Sequence, residues 1–373
     1  MIITCSVPYA VKPELTLIPT LSIHPDRICY FNEPHWNPIR PGKRIDQDQS
    51  EIFEDIEPVL PHAPGPQFSH LITSDRTAHG QVSDIARRKL GKCIDYLLLL
   101  SSERKVYSRM TGRQFSMKIA FVTLTLPAAQ VHSDNEIKSK CLNQFLIEIK
   151  KRHKVVRYVW RAEKQQNGNI HFHVLIDRFV PWQNLRDCWN RIVNKLGYVD
   201  RYREELKKWH ASGFNVRKEL LKSWDYKSQL RAYKNGVAND WNSPNSTDIH
   251  SIRKIINVKA YIAKYLTKNG EVDKETGEFN NPNLAQTGRI WGCSQDLSKA
   301  RGARVVVANM ISDELKKIVD SNQFKSYHAE YFSVFYINFR ELQHIGAVTL
   351  FEAFAKYLIE TFDFSLQTEI ISS

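Results

Sequence analysis

Apolar residues recur at strand or helix spacing most clearly from about residue 117 onward. Residues 118–127 form an apolar, β-branched run that ends at a proline, which predicts a strand. A capping-box pattern at Ser133 and Glu136 then predicts the start of a helix with one apolar face. Pro181 is predicted to open a second helix of the same kind.

Two further strand-like runs lie between these helices, at residues 155–163 and 169–176. The polar residues that separate them, 164–168, have turn chemistry, so the two runs predict a β-hairpin. A short strand is predicted over 247–254 and a helix over 255–268. This order predicts an α+β fold, with helices on one face of an antiparallel sheet and with N- and C-terminal additions. The other face of the sheet is expected to stay open.

The remaining segments differ from this core in composition. Eleven of the 15 prolines occur before residue 67, so we expect an extended, partly disordered arm there, without long helices or central strands. Ser83 is expected to cap a helix after the arm. The predicted division of the chain is an arm (1–80), a helix and hairpin lead-in (81–116), a core domain (117–293) with an irregular insertion (198–246), and a C-terminal α/β extension (294–373).

Charge and cysteine usage narrow the class of protein. The chain of 373 residues has a formal net charge of +13 and a pI near 9.3, which favours a polyanionic partner, most often nucleic acid. The six cysteines are scattered singly, so neither a zinc cluster nor a disulfide framework is indicated, and reduced thiols in the cytoplasm fit best. No apolar run approaches the roughly 18 residues of a membrane span, and no secretion signal is recognisable.

The candidate metal ligands are His171 and His173, which alternate with Phe172 in a predicted strand. Alternate side chains of a strand share a face, about 7 Å apart along it, so the two imidazoles can converge on one ion. Such a pair on its own is more often two surface histidines. A third ligand would change that balance, and the residue in question is Glu163.

The register of the predicted hairpin decides whether Glu163 takes part. A two-residue turn at Asn167 and Gly168 would place it opposite Phe172, on the wrong face. A loop with an odd number of residues centred on Asn167 would place it opposite His171. In the second case two imidazoles and one carboxylate would suit Mn²⁺ or Mg²⁺, with substrate oxygens completing the coordination.

Tyr261 and Tyr265 lie four residues apart and share one face of the predicted helix over 255–268. Lys264 and Lys268 form a second pair beside them. The commoner explanation is a core helix with half-buried tyrosines. Beside a metal site in a basic protein, a tyrosine hydroxyl could instead attack phosphorus and form a covalent ester. Its pKa in solution is near 10, so a lysine or a metal charge would have to favour the phenolate.

The candidates for DNA contacts combine aromatic and basic residues. Trp209, Trp224 and Arg231 lie in the insertion, where aromatics alternate with cations, and Arg253 and Lys259 lie close to the two tyrosines. Such mixtures suit stacked bases and a track of phosphates. The equally weighted alternative is that the insertion uses its aromatics to pack on the core.

Taken in order, residues 121–127, the His171-Phe172-His173 run and residues 261–265 resemble three motifs of the HUH endonuclease superfamily. The nearest variety is the rolling-circle replication initiator of small phages and plasmids, in particular the two-tyrosine filamentous-phage type. Glu163 is at the position that often gives the third ligand, and Trp291-Gly292 is similar to a later recurring pair. The resemblance covers roughly residues 117–293, without a P-loop for a fused helicase.

The resemblance implies a ferredoxin-like or RRM-like core and a replication initiator that nicks single-stranded or hairpin origin DNA in a bacterial cytoplasm. A divalent cation, Mn²⁺ or Mg²⁺, would polarise the phosphate. One tyrosine would keep the 5′ end as a phosphotyrosine and free a 3′-hydroxyl, the second would religate, and Lys264 or Lys268 would steady the phosphate or phenolate. A host helicase and polymerase would be partners. A transposase or mobilisation relaxase with the same chemistry, and a non-catalytic nucleic-acid-binding module, are the alternatives.

Overall fold

The structure is a computed structural model that describes residues 14–37, 82–102, 104–108, 112–251, 286–321 and 323–364. The strands in these ranges are β1 (Glu14–His24), β2 (Arg27–Asn37), β3 (Arg104–Ser108), β4 (Arg113–Met117), β5 (Ala120–Leu124), β6 (Tyr158–Lys164), β7 (Ile170–Ile176), β8 (Thr247–Ser251), β9 (Trp291–Cys293), β10 (Ala303–Val306), β11 (Lys325–His328) and β12 (Phe332–Tyr336). The helices are α1 (Asp84–Leu100), α2 (Asn143–His153), α3 (Trp182–Asn194), α4 (Tyr198–Trp209), α5 (Tyr226–Ala238), α6 (Gln295–Lys299), α7 (Asn309–Asp320), α8 (Phe339–His344) and α9 (Val348–Phe362). A short turn at Asp134–Glu136 and a π-helical stretch at Ile137–Leu142 lead into α2, and Lys218–Leu220 form a 3₁₀ turn.

The chain divides into two compact units, a central unit (Thr73–Ala300) and a terminal unit (Met1–Ile72 with Arg301–Ser373). The central unit contains a five-stranded sheet in the order β8-β5-β7-β6-β9. Every pairing in that sheet is antiparallel. The predicted α+β class is therefore confirmed.

One face of the central sheet packs against α2 and α3. Phe172 of β7 lies in this core with Phe145 of α2 and Trp189 of α3, all fully buried. The ring of Trp189 meets those of Phe145 and Phe172 edge-on, with centroids 5.7 and 6.1 Å apart. Because Phe172 points into this core, its neighbours His171 and His173 are directed to the opposite face, as the alternation predicts.

That opposite face is partly covered, whereas the sequence was expected to leave it open. Helix α1 contacts β6, and Cys93 Sγ of α1 lies 3.7 Å from Cys293 Sγ of β9. The physical reason is that the face also carries Phe121, Val159 and Leu175, which are buried. A strand face with this much apolar surface needs a covering element, and α1 supplies it. The hydroxyl of Ser83 accepts from Ala86 N at 3.2 Å, so the predicted cap of α1 is confirmed.

The segment 198–246 is largely helical, so the prediction of an irregular insertion is wrong. Helix α4 continues the apolar spacing of the core, with Tyr198 and Val199 buried. Helix α5 begins after Asp225, whose carboxylate accepts from Ser228 N at 2.9 Å. The many lysines and arginines lie on the solvent side of these helices and obscured the helical period in the sequence.

The terminal unit joins both ends of the chain in a second antiparallel sheet, in the order β10-β1-β2-β12-β11. The prediction that residues 1–80 lack central strands is therefore wrong for the hairpin of β1 and β2. Pairing of β1 with β10 begins at Thr20, and pairing of β2 with β12 ends at Phe31. Pro19 and Pro34 lie just beyond those stretches, where a missing N–H leaves no ladder bond unmade. The division of the chain into four ranges stays a prediction.

A glycine in β9 sets a steric limit at the edge of the central sheet. Gly292 pairs with Trp160, and a Cβ at Gly292 would lie 2.7 Å from the indole Nε1 and 2.8 Å from Cε2. Since that indole is nearly buried, we expect Gly292→Ala to lower the free energy of unfolding by about 1–3 kcal/mol through overpacking.

Gly91 of α1 gives the matched control for thermal unfolding. A Cβ there would meet no atom within 4 Å, so Gly91→Ala should raise stability by about 0.5–1 kcal/mol through helix propensity. A melting temperature of Gly292→Ala equal to that of the unsubstituted protein would contradict the tight approach to Trp160.

Candidate metal centre

The hairpin of β6 and β7 has the register that brings the carboxylate to the imidazoles. Glu163 pairs with His171, and Lys164 pairs with Ile170. The intervening residues 165–169 form an odd-numbered loop centred on Asn167, closed by a bond of 2.8 Å from Gln165 N to Asn169 O. Of the two registers that the sequence left open, the structure has the one that places Glu163 beside the histidines.

The three side chains form a compact donor set. Glu163 Oε2 lies 3.3 Å from His171 Nε2 and 3.4 Å from His173 Nε2, and all three ligand atoms are within 4.8 Å of one another. Ligand atoms held about 2.1 Å from one ion, at angles of about 90–110°, are about 3.0–3.4 Å apart. The separations and the mixed N and O donors therefore fit a divalent cation.

The electrostatics of Glu163 also suit a ligand. Burial alone raises the pKa of its carboxyl, but hydrogen bonds to His171 and His173 and the charges of those imidazoles outweigh burial, and the pKa lies at about 2. The carboxylate is thus ionised at neutral pH. Its second oxygen, Oε1, is buried and hydrogen-bonds to no described residue, so it is available to a cation or a bound donor.

Three neighbours that sequence reasoning missed shape the site. Thr123 of β5 pairs with His173, and its hydroxyl lies 3.2 Å from His173 Nδ1. With Nδ1 donating to that hydroxyl, Nε2 keeps the lone pair that a metal ligand needs. The ring of Phe121 stacks on His173 with centroids 5.2 Å apart.

The third neighbour, Arg161, pairs with His173 from the other side and is 1% exposed. Burial lowers the pKa of Arg161 to about 10, and the charge of Glu163 opposes that shift. The guanidinium therefore stays charged at neutral pH and favours the ionised form of Glu163. Sequence alone gave no signal for it, because its role depends on which residues lie across the strands.

The predicted nucleophile segment lies outside the described residues. This applies to both tyrosines and to the four basic residues predicted near them, which stay predictions: Tyr261, Tyr265, Lys264, Lys268, Arg253 and Lys259.

The predicted DNA contacts in the insertion are described. Trp209, Trp224 and Arg231 are exposed, although Trp209 also donates to Asn215 O at 3.1 Å and lies under the Arg217 guanidinium. Other aromatic rings of the insertion contact one another: His210, Phe214, Tyr226, Tyr233 and Trp241. Part of the aromatic content is thus used for packing within the insertion itself.

The described helices include none with the length and apolar character needed to cross a membrane.

Comparison with known proteins gives one family. Residues 119–270 match the family model of the replication-associated protein ORF2/gene II protein. The matched range contains the three candidate ligands and both candidate tyrosines. Neither a curated protein nor a solved structure matches the chain. The match supports a replication-associated protein whose partner is DNA.

Proposed function

We propose that the protein is a replication initiator of the HUH type, which nicks single-stranded origin DNA by tyrosine attack beside a divalent cation. The observation that carries the proposal is the convergence of Glu163, His171 and His173 on one face of the central sheet. Two imidazoles and one carboxylate leave coordination positions for phosphate oxygens. The family match over residues 119–270 supports replication as the process.

The side chains of the site would divide the work as follows. Glu163, His171 and His173 would hold Mn²⁺ or Mg²⁺, which when bound supplies positive charge beside the oxygens of the scissile phosphate. Thr123 orients His173 through Nδ1, so that Nε2 faces Glu163. Arg161 provides a fixed charge that keeps the carboxylate ionised.

Tyr261 or Tyr265 is the proposed nucleophile. The phenol oxygen forms a bond to phosphorus as the bond from phosphorus to O3′ breaks, the phenolic proton is released, and O3′ takes up a proton. The products are a 5′-phosphotyrosine and a free 3′-hydroxyl that primes synthesis. Lys264 or Lys268 would steady the phenolate or the phosphate, and the second tyrosine would attack the regenerated origin to close a circle.

The partners in this proposal follow from charge and composition. A net charge of +13 suits single-stranded or hairpin origin DNA. Arg253 and Lys259 would contact it beside the tyrosines, and Trp209, Trp224 and Arg231 would contact it on the insertion. A host helicase and polymerase would complete replication in the bacterial cytoplasm.

A non-catalytic nucleic-acid binder is less well supported. Such a module would present aromatic rings on its open sheet face for bases to stack on. The corresponding positions here are His171, His173 and Glu163, a donor set for a cation.

The test is formation of a covalent adduct. The protein is incubated with Mn²⁺ and single-stranded oligonucleotides that tile the DNA on both sides of its own gene, and the products are separated on a denaturing gel. We expect one tile to give an adduct that retains a 3′-end label, while the 5′-labelled product is free and can be extended by a polymerase. EDTA should abolish the adduct. No adduct on any tile, or an adduct that retains the 5′ label, would contradict the proposal.

A further inference from the structure

A cavity of about 390 Å³ lies at the β8 edge of the central sheet. It is bounded by the first turns of α3, through Trp182 and Arg186, and by the chain around β8, through Asn245, Thr247 and Asp248. Its volume falls within the range of about 300–1,000 Å³ that is usual for ligand sites. Neither the metal centre nor the predicted DNA contacts include these residues.

The most distinctive feature of the cavity is a stacked pair. The guanidinium carbon of Arg186 lies 4.3 Å from the centroid of the Trp182 ring, and the two residues are four apart on α3. Trp182 is nevertheless 43% exposed. Arg186 also donates to the side-chain oxygen of Asn245. The indole is therefore held in place from one side while part of its surface remains open to a ligand.

Buried polar atoms at the cavity lack hydrogen-bond partners among the described residues. Thr247 is 4% exposed, and its hydroxyl oxygen and Arg186 Nε are both buried without such a partner. Leaving a buried polar group unsatisfied is unfavourable, so such groups usually meet a ligand or an ordered water. The cavity thus offers an aromatic platform together with polar groups to a flat ligand with a polar edge.

The cavity is also placed along the sheet row that leads to the metal centre. Asp248 pairs with Thr123, and Thr123 pairs with His173. Adjacent strands are about 4.8 Å apart, so Asp248 lies about 10 Å from His173 across the sheet. A short stretch of single strand that starts at the metal centre can cross β5 and reach the edge at β8.

We infer that this cavity receives one unpaired base of single-stranded DNA, stacked on Trp182 and hydrogen-bonded at its edge. An unpaired base has the flat aromatic face and the polar edge that the cavity calls for. The inference deepens the proposed function, because it assigns a base-binding position to the same strand. It does not require cleavage.

The experiment measures binding of a fluorescein-labelled mixed-sequence 20-mer single strand by anisotropy, in EDTA so that no nicking occurs. We expect Trp182→Ala to raise Kd about tenfold, the effect of removing one stacked base. Trp182→Phe retains an aromatic face and should stay within about threefold of the unsubstituted protein. Tyr331→Ala, at a 76% exposed tyrosine of the terminal unit, is the matched control and should leave Kd unchanged.

A second measurement keeps the inference testable if Trp182→Ala does not fold. The unsubstituted protein is photo-crosslinked to the same 20-mer carrying bromodeoxyuridine, and the crosslinked peptides are identified by mass spectrometry. We expect the peptide that contains Trp182 among them. An unchanged Kd for a folded Trp182→Ala variant, or crosslinks confined to other peptides, overturns the inference. Because this assay contains no metal, its result is independent of whether the protein forms an adduct.

Discussion

Replacing Tyr261 and Tyr265 together by phenylalanine is expected to abolish the covalent adduct with origin DNA. The double substitution removes two oxygen atoms and leaves the rings, so it deletes the proposed nucleophile with little change in packing. We expect the rate of adduct formation to fall by at least about 10³-fold, because loss of a nucleophile removes the covalent route altogether. The rate is measured on a denaturing gel with 3′-labelled DNA.

The single variants and a distant tyrosine provide the comparison. Tyr261→Phe and Tyr265→Phe should each retain nicking or religation unequally, since the two hydroxyls would serve successive steps. Tyr331→Phe removes a hydroxyl from the terminal unit and should not change the rate. An adduct that survives in the double variant would show that another residue attacks the phosphate.

Substitution of the metal ligands is expected to have the second largest effect. Glu163→Gln keeps the shape of the side chain but removes the charge that pairs with both imidazoles, and His171→Ala removes one nitrogen ligand. Each should lower the nicking rate at fixed Mn²⁺ by at least about 100-fold, because the phosphate would lose its positive neighbour. The rates are compared under single-turnover conditions with the same oligonucleotide.

Thr123→Val separates orientation from ligation. It removes the hydroxyl that lies 3.2 Å from His173 Nδ1 and leaves the three ligands in place. We expect metal affinity to fall by about 10–100-fold, as for other residues that orient a ligand, and excess Mn²⁺ to restore the rate. Excess Mn²⁺ should not restore Glu163→Gln. Equal rescue of both variants would argue against the assigned roles.

Local patterns predicted the face and the elements of the metal centre, because they depend on residues close in sequence. Alternation around Phe172 was enough to direct His171 and His173 away from the core. The register was not predictable, since two loops of different length fitted residues 164–168. The structure has the longer loop, in which Gly168 takes a φ of 83° and Lys164 Nζ donates to Gly168 O at 2.8 Å.

The features that sequence reasoning missed depend on pairings between distant segments. The terminal sheet pairs Thr20 with Val306, from opposite ends of the chain, and no local pattern shows that partnership. Thr123 and Arg161 join the metal centre only through their registers with His173. Trp182 was overlooked because it sits at helical spacing from Leu185 and Trp189, so it looked like one more core residue.

The most direct test of the central claim is the number of Mn²⁺ ions that the purified protein binds without DNA, measured from the loss of the free Mn²⁺ signal in electron paramagnetic resonance. We expect one ion per chain, and none for a His171→Ala, His173→Ala double variant whose circular dichroism shows that it is folded. A double variant that binds one ion as tightly as the unsubstituted protein, or an unsubstituted protein that binds none, would contradict the assignment of Glu163, His171 and His173 as a metal centre.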